Sequence, residues 1–248
     1  MIDSGWRTLR AGYRLAAVLL HGLHGLWVVL VLFPWLPLEQ RHARIRGWSQ
    51  KMFRVLGMEL RIHGEAHDGP TLLVANHVSW LDIMALHAVC PRARFVSKAQ
   101  VRHWPVVHRL VDAAGTLYIE RERARDALRV VHQMAEALRE GQTVAVFPEG
   151  TTADGHTLLP FHANLLQAAV ATATPIQPVA LRFSDADSLV SEAAQYLGDT
   201  TLAQSLWRLA KAEGMVVTLW FLSARATAHA DRRMLAQRLR QDIEEALS

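Results

Sequence analysis

Thr71-Leu72-Leu73-Val74-Ala75-Asn76-His77-Val78-Ser79-Trp80-Leu81-Asp82 reads as a strand, a polar turn and the start of a helix. An apolar run of β type, residues 71–75, follows the turn His67-Asp68-Gly69-Pro70. A short polar turn then opens a helical pattern over 82–89 that stops before Pro91. A strand feeding directly into a helix is the repeating step of an α/β domain. Working outward, residues 95–97, 115–119, 143–147, 176–183 and 215–222 also read as strands, with Pro178 interrupting one of them. Residues 123–140 read as an amphipathic helix with Leu128, Val131, Ala135 and Leu138 on its apolar face and Gly141 as its stop. Residues 158–171 read as a helix whose start is limited by Pro160, and 231–247 as a terminal helix capped by Asp231. The pattern predicts helices packed on a sheet, in one domain over 58–248, with no internal repeat.

The segment before that domain has a different composition. Residues 15–33 carry no Asp, Glu, Lys or Arg and hold seven Leu, four Val and one Phe. Side chains of this kind favour bilayer insertion by roughly 4–7 kcal/mol in sum, which His21, His24, Gly22 and Gly25 partly offset. At 1.5 Å per residue the run nearly matches a hydrocarbon core of about 30 Å. It is too long for a cleavable signal, and no small-x-small site follows it. A buried soluble helix would need a protein cover on every side. Arg7, Arg10 and Arg14 precede the run, and Arg41, Arg44, Arg46, Lys51 and Arg54 follow it. The larger following cluster places the rest of the chain on the cytoplasmic face, as at a bacterial inner membrane. Charge at both ends also allows a re-entrant or interfacial helix that never crosses. Ile45, Trp48, Met52, Val55 and Leu56 share one helical face, which suits either a basic amphipathic helix on an anionic surface or a surface helix packed on the core. Residues 1–57 are thus a membrane-associating segment.

Composition excludes several classes. The 248 residues are 51% hydrophobic and 20% charged, so the chain can bury a core. One cysteine removes any disulfide framework or multi-cysteine metal site. A net charge of +4 is a mild bias, and no basic patch interleaved with aromatics marks a nucleic-acid surface. No Gly-x-Gly-x-x-Gly, Walker loop, His-Glu-x-x-His or Gly-x-Ser-x-Gly occurs, so dinucleotide, P-loop, zincin and elbow-serine chemistry lack support.

Chemistry gathers at three strand ends. His77 follows the first strand, and Asp82 is five positions on, within reach of its ring. A carboxylate on one imidazole nitrogen fixes the tautomer and leaves the other as a base. Alone, the pair is outweighed by an incidental histidine at a helix start, since the chain has 13 His. Phe147-Pro148-Glu149-Gly150-Thr151-Thr152 follows another strand. Gly150 permits a positive φ, exposed N–H groups there suit an oxyanion, and Glu149 suits substrate hydroxyls. Gly115 to Arg121 ends in an arginine able to fork onto phosphate, or simply solvated in the run Glu120-Arg121-Glu122-Arg123.

Together, in this order, Asn76-His77-x-Ser79-x-x-Asp82, Gly115 to Arg121, Phe147-Pro148-Glu149-Gly150-Thr151 and Pro175-Ile176-Gln177-Pro178-Val179 resemble the four motifs of the PlsC-like glycerolipid acyltransferases, across roughly residues 60–183. The resemblance implies an α/β fold with a mixed sheet flanked by helices, and acyl transfer from acyl-CoA or acyl-acyl carrier protein to lysophosphatidic acid, giving phosphatidic acid. Those thioesters are co-substrates, and no cofactor or metal is implied. It implies His77 as general base, Asp82 as its partner, and acceptor binding at Arg121, Glu149, Gly150 and Thr151, with Lys98 a further basic phosphate-site position. Gln100, His108, Thr152 and Asn164 depart from the family pattern near the presumed head-group site. Lyso-ornithine lipid or another lysolipid is the alternative acceptor. Outside the family stand three rivals: a hydrolase using Ser79 as nucleophile, a metal site of His77, Asp82 and His156 or His162, and a non-catalytic membrane anchor.

Overall fold

The computed structural model describes residues 2–98, 101, 107–119 and 124–248. Its centre is a seven-stranded sheet of order β1-β7-β6-β2-β5-β3-β4. The strands are β1 (Glu59–His63), β2 (Thr71–Ala75), β3 (Arg94–Lys98), β4 (Leu117–Ile119), β5 (Thr143–Val146), β6 (Ile176–Ser184) and β7 (Val216–Phe221). All neighbours are parallel except β6 and β7, which makes the sheet mixed, as expected.

The β2 run is buried throughout because both faces of the sheet are covered. Leu73 and Ala75 pack on one side with helices α2 (Leu38–Leu56), α3 (Leu81–Val89) and α7 (Leu202–Lys211). Leu72 and Val74 pack on the other with α5 (Ala124–Arg139), α6 (Gln167–Thr172) and α8 (Arg232–Leu247). This is the period of two expressed as two cores.

Pro178 does not interrupt β6. The N–H that it lacks would face Leu222, just beyond the last residue of β7. Leu222 N–H still donates to Pro178 O (3.0 Å), and Gln177 Nε2 donates to Leu222 O (2.9 Å) in place of the missing group. The same amide donates to Glu65 O and accepts from His67 N–H, so the buried Gln177 is fully satisfied.

Other expectations shift. Residues 158–162 are not helical; a 3₁₀ turn begins only at Ala163 and passes into α6. Pro160 cannot donate, and His162 N–H is drawn to Pro148 O instead. On α5, Val130, Met134, Ala135, Ala137 and Leu138 are buried and Val131 packs against them, while of the expected face only Leu128 is exposed, lying about 200° around the helix from Val130. Strand β1 and helices α4 (Val107–Ala113) and α7 lie where the sequence reading assigned no element. Asp231 caps α8, its Oδ1 accepting from the N–H groups of Arg233 and Met234.

The apolar N-terminal run forms most of α1 (Ile2–Trp27), followed by a π turn, Val28–Leu32, and a 3₁₀ turn, Phe33–Trp35, with Pro34 inside it. The chain then reverses into α2, which directs Met52, Phe53 and Leu56 into the core beside α3. The amphipathic face of α2 therefore packs on the domain. Helices α1 and α2 are clasped by a reciprocal pair: His21 Nε2–H donates to Trp48 O (2.9 Å) and Trp48 Nε1–H to His21 O (3.0 Å). The rings stack 5.0 Å apart, and a Cβ on Gly25 would lie 2.5 Å from Trp48 Nε1. The other end of α1 is fastened to α7. Arg14 donates to Ala210 O and Ala212 O (3.1 and 2.8 Å), Arg10 to Lys211 O and Glu213. These guanidinium groups meet the negative end of the α7 dipole. Trp6, Leu9, Tyr13, Leu20, Leu23 and Trp27 remain exposed along the outer side of α1, as does Leu30 in the turn after it.

Candidate active site

His77 stands two residues beyond the end of β2, and α3 begins at Leu81, so the turn between them projects from the carboxyl edge of the parallel strands. Open α/β sheets place their sites at that edge. Asn76 fastens the turn. Its Nδ2 donates to Leu181 O (2.9 Å) and its Oδ1 accepts Leu181 N–H (2.8 Å), extending the ladder to β6 by one side chain.

Asp82 lies in the first turn of α3, where a carboxylate is stabilised by the helix dipole. It is fully buried. Its Oδ2 gathers three N–H donors: His77 Nδ1 at 2.7 Å, Val78 N at 2.7 Å and Ser79 N at 2.9 Å. A neutral ring can donate there only with its proton on Nδ1, the tautomer that leaves the lone pair on Nε2. The His77 side chain is 19% exposed, and its Nε2 makes no hydrogen bond among the described residues. Phe147 covers one face of the ring, with centroids 4.0 Å apart and planes within 10°.

Glu149 is buried beneath the same turn, its oxygens committed to the backbone. Oε1 accepts His77 N–H (2.7 Å) and Oε2 accepts Leu159 N–H (2.9 Å). Burial pushes its carboxyl above the usual carboxylate range, and the two N–H donors act against that rise. Gly150 turns the chain at φ +76°, and Ala153 N–H then donates to His77 O (2.7 Å), laying the loop of Gly150, Thr151 and Thr152 alongside the imidazole. The Thr152 hydroxyl points inward and donates to Tyr196 O, while Thr151 is exposed.

The structure thus joins His77, Asp82, Glu149, Gly150 and Thr151 in one place, although they derive from two distant motifs. Lys98 is the last residue of β3; its side chain lies outside the described residues, as does all of Arg121. Ser79 is fully buried, and its hydroxyl meets no partner, so the residue offered as a hydrolase nucleophile has neither access nor base. Among the described residues no three His, Cys, Asp or Glu side chains gather as a metal site. The sequence reading gave the Phe147 ring and the Asn76 amide no role. The only signal was that Leu73, Ala75 and His77 share one parity on β2, as do Ala145 and Phe147 beyond β5.

Comparison with known proteins agrees with this geometry. A family model described as Acyltransferase matches residues 54–182. The chain is 38% identical over 211 residues to a lyso-ornithine lipid O-acyltransferase of Pseudomonas aeruginosa, covering 85% of this chain and 80% of that one. It is 34% identical over 192 residues to a 1-acyl-sn-glycerol-3-phosphate acyltransferase of Neisseria gonorrhoeae, covering 77% and 73%. Its fold is similar to the crystal structure of the 1-acyl-sn-glycerophosphate acyltransferase PlsC from Thermotoga maritima, with a TM-score of 0.70 at 19% identity over 97% of this chain and 95% of that one. A histidine–aspartate pair at the edge of a mixed sheet, the order of the motifs around it and these likenesses agree: the chain belongs to the PlsC-type acyltransferase family and is an acyltransferase.

Proposed function

We propose that this acyltransferase carries an acyl group from a thioester, acyl-CoA or acyl-acyl carrier protein, to the free hydroxyl of 1-acyl-sn-glycerol 3-phosphate. The observation that carries the reading is the 2.7 Å contact between His77 Nδ1 and Asp82 Oδ2, which leaves Nε2 as a base at the surface of the site. Nε2 takes the proton of the acceptor hydroxyl as that oxygen attacks the thioester carbon. Asp82 stabilises the imidazolium that results. The Thr151 and Thr152 N–H groups make no hydrogen bond among the described residues and serve the tetrahedral oxyanion. The carbon–sulfur bond then breaks, the thiolate takes the proton from His77, and the products are an ester and a free thiol. Glu149 serves the acceptor indirectly, by holding the turn that carries the base. Arg121 and Lys98 supply positive charge for its phosphate.

A lyso-ornithine lipid acceptor is the second reading. It is favoured by the Pseudomonas aeruginosa relative and by Thr152, a departure from the family pattern whose hydroxyl is bonded inward to Tyr196. The enzyme works at a membrane surface. One end of α1 is fastened to α7 through Arg10 and Arg14 and the other is tied through α2 to α3, so α1 lays its exposed apolar side into one leaflet from the cytoplasmic face without crossing. The test is thiol release by purified, detergent-solubilised protein, with each donor offered to lysophosphatidic acid and to lyso-ornithine lipid. Turnover with lysophosphatidic acid is expected. Turnover only with lyso-ornithine lipid selects the second reading, and turnover with neither overturns both.

A further inference from the structure

The imidazole of His77 is the outer member of a column of four rings. Phe147 stacks on it at 4.0 Å, Phe95 lies behind Phe147 at 5.8 Å with planes 21° apart, and His87 meets Phe95 edge-on at 4.8 Å and 87°. The inner end is fixed. Phe95 is buried in β3, and the buried His87 donates from Nε2 to Ala93 O (3.0 Å). The outer end is restrained by far less. Beyond its covalent attachment at Cβ, the His77 ring is held by one hydrogen bond, Nδ1 to Asp82, which alone opposes its turning about Cβ–Cγ. The Phe147 face closes that freedom on one side.

We infer that Phe147, backed by Phe95, is a positioning residue that fixes the plane of the His77 imidazole and stabilises the imidazolium formed during acyl transfer. The inference rests on the reading of His77 as the base. A phenyl face carries negative quadrupolar charge, so a ring stacked on it is held more strongly once protonated. The gain appears as the proton moves and not in the resting enzyme, which makes it a contribution to kcat and not to substrate binding. Pro148 and the Gly150 N–H, which donates to Phe147 O at 3.1 Å, hold the phenylalanine backbone at the end of β5 and so set where the ring stands.

The experiment replaces Phe147 in the full chain in two ways, with acyl-CoA and lysophosphatidic acid as substrates and lyso-ornithine lipid in parallel. Phe147→Leu is expected to lower kcat about tenfold, with both KM values within about twofold of wild type. Mono-, di- and trifluorophenylalanine at position 147 keep the ring's shape while draining its face of negative charge, and kcat is expected to fall stepwise along that series. The fluorinated variants decide the matter if Phe147→Leu fails to fold. An unchanged kcat across the series, or a rise in KM with kcat retained, overturns the inference. His77→Ala assayed alongside separates the two levels: transfer retained there removes the base itself, whereas a flat fluorine series in an enzyme silenced by His77→Ala removes only the role of Phe147.

Discussion

The main-chain N–H of His77 donates to Oε1 of Glu149 at 2.7 Å, across 72 residues of chain. The acid of one motif thereby holds the backbone from which the imidazole of another projects. Glu149→Gln keeps the shape but offers only one acceptor oxygen, so either His77 N–H or Leu159 N–H then faces an amide NH₂. An unsatisfied buried donor costs about 1–3 kcal/mol. Lower thermal stability together with a lower kcat is expected. Unchanged values of both would show that the carboxylate does not brace the turn.

His77→Ala removes the imidazole proposed as the base, and general-base catalysis is worth about 10²–10⁴-fold in rate. The variant should retain its fold, because the ring is at the rim and not in the core. Asp82→Asn leaves one oxygen to serve donors gathered by a full negative charge, and should lower both rate and stability. Circular dichroism and single-turnover assays of the two variants distinguish these outcomes.

His87 makes stability depend on acid. Burial pushes its pKa down to about 4 from the ordinary 6.5, against the Ala93 carbonyl contact and aided by His42 nearby. The unfolded chain gains a proton below pH 6.5 and the folded chain does not, so the contribution is complete above that pH. It is lost as pH falls toward about 4, by about 3 kcal/mol in sum. Urea unfolding from pH 7.5 to 4.5 should show this loss in wild type and a shallower slope in His87→Leu. Equal slopes would place the acid sensitivity elsewhere.

Arg14→Ala removes two donors from the carbonyls at the end of α7. Hydrogen bonds from a charged group are worth about 1.5–3 kcal/mol. Release of α1 is expected, read as faster proteolysis within residues 1–37 while acyl transfer in detergent persists. A protection pattern identical to wild type would mean that Arg10 and the α2 clasp are sufficient to hold the helix.

Gly25→Ala places a carbon 2.5 Å from Trp48 Nε1, and overpacking of this kind costs about 1–3 kcal/mol. Gly22→Ala, with nothing within 4 Å of its added Cβ, is the matched control and should be neutral or stabilising. Trp48 emission and vesicle flotation report whether the hairpin opens in the first variant and not in the second.

Much of this molecule is local in origin. The β2 run, the helix after it, the α8 cap at Asp231 and the apolar α1 each follow from residues within one or two turns of one another, where propensity, periodicity and capping act. Pro178 and Pro160 show the limit of such reading. Both lack a donor, yet the first stays in a strand because Gln177 substitutes for it and the second breaks a helical pattern because His162 N–H finds Pro148. The short distance from His77 to Asp82 was likewise legible, since only five positions separate them.

Local pattern was sufficient to give an apolar helix and a basic amphipathic one ahead of an α/β domain, and a histidine at a strand end five positions before a carboxylate. Spacing and hydropathy along one chain are sufficient for both. What surrounds that histidine comes from packing across the sheet. Which strands are neighbours, and in what register, is set by long-range packing, and Leu73 beside Ala145 beside Phe95 is what brings Phe147 against the imidazole and Glu149 beneath it. The same holds for α1: arginines that read as a flank for a bilayer are spent on the end of a helix some 200 residues away, a contact that no local pattern encodes.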